Sequence, residues 1–146
     1  MHQMQLGADL IDVGGESTRP GAERISVNDE LTRVIPVIET LVREGVPISV
    51  DTMRVEVARA AVTAGAVLVN DVSGGLADQQ MLPFIAESGI PVVLMHWRGH
   101  SREMHLRANY PRGVVQEVVS ELSDRLAQAM AAGLDADRVV RPRQVM

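Results

Sequence analysis

Four short, nearly continuous apolar runs, at residues 9–13, 47–50, 66–69 and 90–95, alternate with longer stretches whose apolar residues recur every three or four positions. Unbroken runs of that length predict parallel strands covered on both faces. A fifth run, Val139-Val140, lies near the C-terminus. The intervening stretches carry helix start and stop signals. Ser26 with Asp29 resembles a capping box, and Leu31, Val34, Ile35, Ile38, Leu41 and Val42 then share one face up to Gly45. Pro36 inside that stretch predicts a kink or an early irregular turn. A second helix is predicted over about 54–64, presenting Val55, Ala58, Ala61 and Val62 before Gly65. A third begins after Asp78, carries Met81, Leu82, Ile85 and Ala86, and stops at Gly89. The longest presents Val114, Val115, Val118, Val119, Leu122, Leu126 and Met130 before Gly133. That pattern leaves Glu117, Glu121, Asp124 and Arg125 on a solvated outer face.

Repeated strand–helix units predict an α/β fold with a parallel sheet and right-handed crossovers. Two architectures fit, an open doubly wound sheet and a TIM (β/α)8 barrel. Polar residues at the C-terminal end of every strand favour the barrel. A complete barrel takes about 250 residues, so the 146 residues here make parallel (β/α) units forming about half of one. Residues 1–146 read as one domain, without repeats or low-complexity segments.

Composition narrows the classes of function. Aromatic residues are only 2%, so the core is built from Val, Ile, Leu, Ala and Met. A net charge of −5 argues against sequence-independent nucleic-acid binding, which needs a basic face. The chain has no cysteine, which excludes disulfides and thiolate metal sites. Its apolar runs are far shorter than a membrane span, and residues 1–5 show no secretory pattern. The expectation is a cytoplasmic chain with neither nucleic acid nor membrane as a partner.

The candidate chemistry sits where the strands end. The first strand runs into Asp12, Glu16, Ser17, Thr18 and Arg19; the second into Asp51, Thr52 and Arg54. The third gives Asn70, Asp71 and Ser73 before Gly74-Gly75, and the fourth Met95, His96, Trp97 and Arg98. In a parallel barrel these converge on one mouth. Gly14 and Gly15 are expected to adopt backbone conformations that a side chain would forbid, and Pro20 to hold the loop open. Asp51 and Asn70 together offer acceptors and donors suited to a flat heterocycle with an amidine-like edge. Met95 suits a soft wall for such a ring, and Arg19 an anionic or aromatic partner. Simpler roles compete: a strand-end Asp often caps the next helix, and Asn70 or Asp71 can shape a turn. His96, His100 and His105 suggest a metal, but Gly99 breaks any helix presenting the first two, and no acidic partner has zincin spacing. No metal site is therefore assigned from them. Neither glycine pair is a phosphate loop, since the Lys-Ser/Thr that should follow is missing.

Four motifs, DVGGESTRPG at 12–21, SVDT at 49–52, VNDVSGG at 69–75 and LMHWRG at 94–99, closely resemble dihydropteroate synthase in order and spacing. The resemblance covers about residues 7–140. It implies a TIM (β/α)8 barrel that condenses p-aminobenzoate with 6-hydroxymethyl-7,8-dihydropterin diphosphate to 7,8-dihydropteroate in folate synthesis, with Mg2+. By position it makes Asp51 and Asn70 the catalytic, pterin-binding pair, with Val72 and Met95 packing the ring. Ser17, Thr18, Arg19 and Pro20 resemble the mobile loop that shapes the p-aminobenzoate pocket, where sulfonamides also bind. A homodimer is a further implication.

Departures accompany the match. The family's first strand and its Asn-containing first loop, which supplies the magnesium ligand, have no counterpart here. Where the family reads Asp-Pro-Gly, this chain reads Arg141-Pro142-Arg143, as a one-base frame slip would give. The pterin-binding Asp of that strand, the Ser-Arg-Lys segment and the Arg-x-His anion site are also missing. The expectation is a partial domain, truncated at both ends, with impaired activity. Two alternatives stay open. One is a non-catalytic fragment or pseudogene product that binds pterin weakly at most. The other is a pterin-binding methyltransferase domain, against which the Ser-Thr-Arg-Pro loop argues.

Overall fold

The computed structural model describes residues 2–19, 21–100, 102 and 104–140. Pro20 and the segment 141–146 lie outside that set. After a short helix α1 (His2–Gln5) come β1 (Ile11–Gly14), α2 (Val27–Arg43), β2 (Ile48–Asp51), α3 (Val55–Thr63) and β3 (Leu68–Asp71). Then follow α4 (Met81–Ser88), β4 (Val92–Leu94), α5 (Val114–Ala131) and β5 (Val139–Val140). The five strands pair in parallel in the order β1-β2-β3-β4-β5. That order decides between the two architectures. A doubly wound sheet reverses its strand order to place helices on both faces, whereas sequential strands with crossovers of one hand keep every helix on one side. The sheet is therefore a barrel segment.

Register and burial show the two faces. Val13, Val50, Val69, Val92 and Val139 form one transverse row, and the last four are buried beneath the helices. The next row, Gly14, Asp51, Asn70, Val93 and Val140, belongs to the opposite, concave face. No member of that row is fully buried. Both faces were expected to be covered; the concave one is half-open, because no described helix packs on it.

Helix α2 begins as its sequence predicts. Ser26 Oγ accepts from the Asp29 amide at 3.1 Å and donates to the Asp29 carboxylate at 2.7 Å. Pro36 does not interrupt this helix, which is continuous over its 17 residues. Its buried stripe is Glu30, Val34 and Ile38, spaced four apart. Helix α3 has no side-chain cap of its own; Asp78, from the loop before α4, accepts the Val55 amide at 2.9 Å. Helix α4 stops at Gly89, whose φ of 66° gives the left-handed cap that glycine favours.

Helix α5 corrects the sequence reading. Its buried residues are Glu117 and Ala129, while Val114, Val115, Val119 and Met130 are exposed, Val115 at 78%. Glu117 and Glu121 are not a solvated face: they turn toward the loop after β4 and hold Arg98. With both carboxylates bonded to Arg98, that face of α5 turns inward and Val114, Val115 and Val119 are left outward. Among the described residues no helix is long and apolar enough to cross a membrane.

Candidate functional site

The strand ends do gather on one rim. Asp51 and Asn70 are register partners on β2 and β3, at the same level of the concave face as Gly14. Gly14 and Gly15 have no positive φ, contrary to the expectation. What they supply is closeness. A Cβ on Gly14 would lie 3.3 Å from the Asp51 carboxylate, and one on Gly15 would lie 2.7 Å from Val34 Cγ2 and 3.0 Å from Glu30 Cγ.

Asn70 Nδ2 donates to Asp12 Oδ2 at 3.2 Å across the width of β2. Since a carboxylate only accepts, Asp12 fixes which way the amide is turned. Asn70 Oδ1 is left buried with no hydrogen-bond partner among the described residues. An orphaned acceptor of this kind calls for a ligand donor or a water. Beside it, Asp51 has its pKa pushed up to about 6, first by burial and then by the charges of Asp12, Glu30 and Asp71. The rung therefore presents two oxygens to a ligand carrying N–H groups along one edge, a donor pattern that would relieve both.

Asp71 does what the simpler reading allowed. It is fully buried, its Oδ1 accepting from the Ser73 amide and hydroxyl at 2.8 and 2.7 Å and its Oδ2 from Gly75 N at 2.7 Å. Burial raises its pKa, with those hydrogen bonds acting in opposition. The tight turn it shapes brings Gly74 against the Met95 carbonyl, where a Cβ would sit 2.9 Å away. That contact ties the loop after β3 to the loop after β4. Val72, beyond Asn70, is half-buried, and Met95, beyond β4, is 41% exposed. Both stand at the rim, two residues past the rung that holds Asn70 and Val93.

The loop after β4 is pinned by Arg98. Its guanidinium bonds Glu121, Glu117 and the Asn109 carbonyl and lies 4.1 Å from the centre of the Tyr110 ring. The Arg98 side chain holds the Glu121 carboxyl below its ordinary pKa. For Glu117 the Arg112 amide is the larger cause of a similar lowering, followed by Arg98. His96 Nε2 lies 2.8 Å from Glu121, so this histidine is engaged by a carboxylate. The side chain of His105 is outside the described set.

On the first loop, Ser17, Thr18 and Arg19 are exposed. Thr18 lines a small cleft together with Glu16, Glu30, Asp51, Thr52 and Met53. Ser17 Oγ accepts only weakly, from the Arg19 amide at 3.4 Å. The structure thus brings Thr18 to Asp51 and leaves Ser17 and Arg19 on the outer loop. Behind them lies a group the sequence reading missed: Glu30, 1% exposed, accepts from Thr52 Oγ1 at 2.6 Å and pairs with Arg54. Its position four residues before Val34, on the apolar stripe of α2, was the available signal.

The model for pterin binding enzymes matches residues 1–141. The chain belongs to the pterin-binding enzyme family. The dihydropteroate synthase of Mycobacterium leprae (strain TN) is 51% identical over 134 residues, covering 92% of this chain and 47% of that protein. A Xanthomonas albilineans dihydropteroate synthase solved with 4-aminobenzoic acid superposes with a TM-score of 0.86 at 45% identity, over 99% of this chain and 51% of that one. The Yersinia pestis dihydropteroate synthase, solved as a sulfonamide drug complex, gives a TM-score of 0.89 at 35% identity, over 96% and 50%. The chain spans about half the length of these relatives. As for the magnesium the resemblance implies, among the described residues no three His, Asp or Glu side chains converge as metal ligands.

Proposed function

We propose that this chain binds a dihydropterin at the Asp51–Asn70 rung and serves the dihydropteroate synthase reaction. The observation that carries the reading is the orphaned Asn70 Oδ1 beside a carboxyl with raised pKa, at one level of the concave face. A pterin's amino and ring N–H groups match that pair of oxygens, and burial of its flat ring between Val72 and Met95 adds apolar contact. Asn70 and Asp51 hold the heterocycle. The C–O bond to diphosphate then breaks, the electron pair leaving with diphosphate. The amine of p-aminobenzoate forms the new C–N bond and releases a proton. The contribution of the chain is placement of the two reactants and stabilisation of charge on the pterin. Thr18, at the cleft beside Asp51, faces the amine partner; Ser17 and Arg19 belong to the same loop, and Pro20 follows them in sequence. This reading sets the reaction in the cytoplasm.

Two measurements on the purified chain test it. Calorimetric titration with 6-hydroxymethylpterin should give a saturable heat, and diphosphate release should require both substrates. Heat without release leaves a pterin binder that does not turn over, and no heat ends the reading.

A further inference from the structure

Glu16 and Ile25, nine residues apart in sequence, lie side by side. They meet at one guanidinium. Arg54 Nη2 lies 2.8 Å from Glu16 Oε2 and donates to the Ile25 carbonyl at 2.7 Å, while the Ile25 amide donates back to Glu16 Oε2 at 3.3 Å. The other carboxylate oxygen of Glu16 takes Arg24 Nε at 3.1 Å. On the far side, Arg54 Nη1 pairs with the buried Glu30. The Arg54 amide donates to Thr52 Oγ1 at 3.2 Å, and Thr52 donates in turn to Glu30. Arg54 is three residues beyond Asp51, so the neck of the loop is tied to the strand that carries the pterin-facing carboxyl.

We propose that Arg54 is a positioning residue for the amine substrate: it clasps the neck of the segment 17–24 and thereby keeps Thr18 beside Asp51. The proposal rests on the function proposed above and assigns to one guanidinium the control of half of that site. A planar fork can satisfy Glu30 with one nitrogen and Glu16 and Ile25 with the other; a lysine ammonium cannot span the two sides. A merely structural role, as the residue at the start of α3, would loosen β2 and both substrate sites together. The clasp instead predicts a loss confined to the loop.

The test uses the whole chain with Arg54→Gln, Arg54→Lys and Glu16→Gln, read by tryptic cleavage at Arg24–Ile25 and by two titrations. The titrations use 6-hydroxymethylpterin alone, then p-aminobenzoate in its presence. Arg54→Gln should speed cleavage and weaken p-aminobenzoate about tenfold each, the scale of one charge-assisted hydrogen bond, with pterin affinity held within about twofold. Arg54→Lys and Glu16→Gln should fall between. Equal loss of both affinities, or unchanged cleavage and p-aminobenzoate affinity, overturns the proposal. Should Arg54→Gln fail to fold, Glu16→Gln carries the test alone, since it leaves the Arg54–Glu30 pair intact. A wild-type chain that binds neither ligand refutes the proposed function, and the clasp is then judged by cleavage, unchanged rates refuting it.

Discussion

Replacing Asp51 with Asn should stabilise the chain, and only at neutral pH. The carboxyl titrates at about 6 in the folded chain against 3.8 as its ordinary value, with burial as the main cause and Asp12, Glu30 and Asp71 adding repulsion. Well below pH 3.8 it is protonated whether the chain is folded or not, and contributes no difference. Between pH 4 and 6 the unfolded chain releases the proton while the folded chain keeps it, so stability falls as pH rises. Above pH 6 both states are ionised and the folded state carries the whole penalty. A shift of roughly two units corresponds to about 3 kcal/mol. Asp51 is only half-buried, so solvent screening reduces this to about 1–2 kcal/mol. Asn has the same shape and no charge. Urea unfolding at pH 7.5 should therefore show Asp51→Asn with a midpoint about 0.5–1 M higher than wild type, and at pH 4 only a small fraction of that gain. The same substitution should weaken binding of 6-hydroxymethylpterin, since an ionised acceptor is lost. A gain of equal size at both pH values, or a loss at pH 7.5, would refute the electrostatic reasoning.

Gly15→Ala should destabilise by about 1–3 kcal/mol in chemical denaturation, because its Cβ would meet Val34 and Glu30 at 2.7 and 3.0 Å; an unchanged midpoint would mean that α2 can retreat freely. On α5, Val115→Lys should alter stability by less than about 0.5 kcal/mol, since that side chain is 78% exposed. Glu117→Ala on the same helix should lower the melting temperature measurably, because Arg98 and the Arg112 amide both depend on it. The opposite ranking of those two variants would restore the rotation of α5 that apolar spacing alone implies.

Much of the fold was legible because local signals agreed with it. The glycines that stop α2, α3, α4 and α5 stand where the apolar pattern ends, and Ser26 caps α2 as its spacing says. The Asp51–Asn70 rung was legible too, since both residues end apolar runs and parallel strands in order align their ends. What escaped were relations between separate elements. Glu117 looked solvated because nothing local shows that Arg98, nineteen residues away, folds back onto it. Glu30 on an apolar stripe has its explanation in Thr52 and Arg54, on the far side of β2. The glycines at 14 and 15 were recognised as necessary but for the wrong reason, because crowding by Val34 and Asp51 is invisible along the chain. Pro36 does not interrupt α2, which runs continuously with Glu30, Val34 and Ile38 on its buried side.

The measurement that bears most directly on the central claim is calorimetric titration of 6-hydroxymethylpterin into the wild-type chain and into Asn70→Ala. If Asn70 Oδ1 awaits a ligand N–H, the wild type binds with a defined stoichiometry and the substitution weakens binding about tenfold or more. Equal affinity in the two chains would contradict the account.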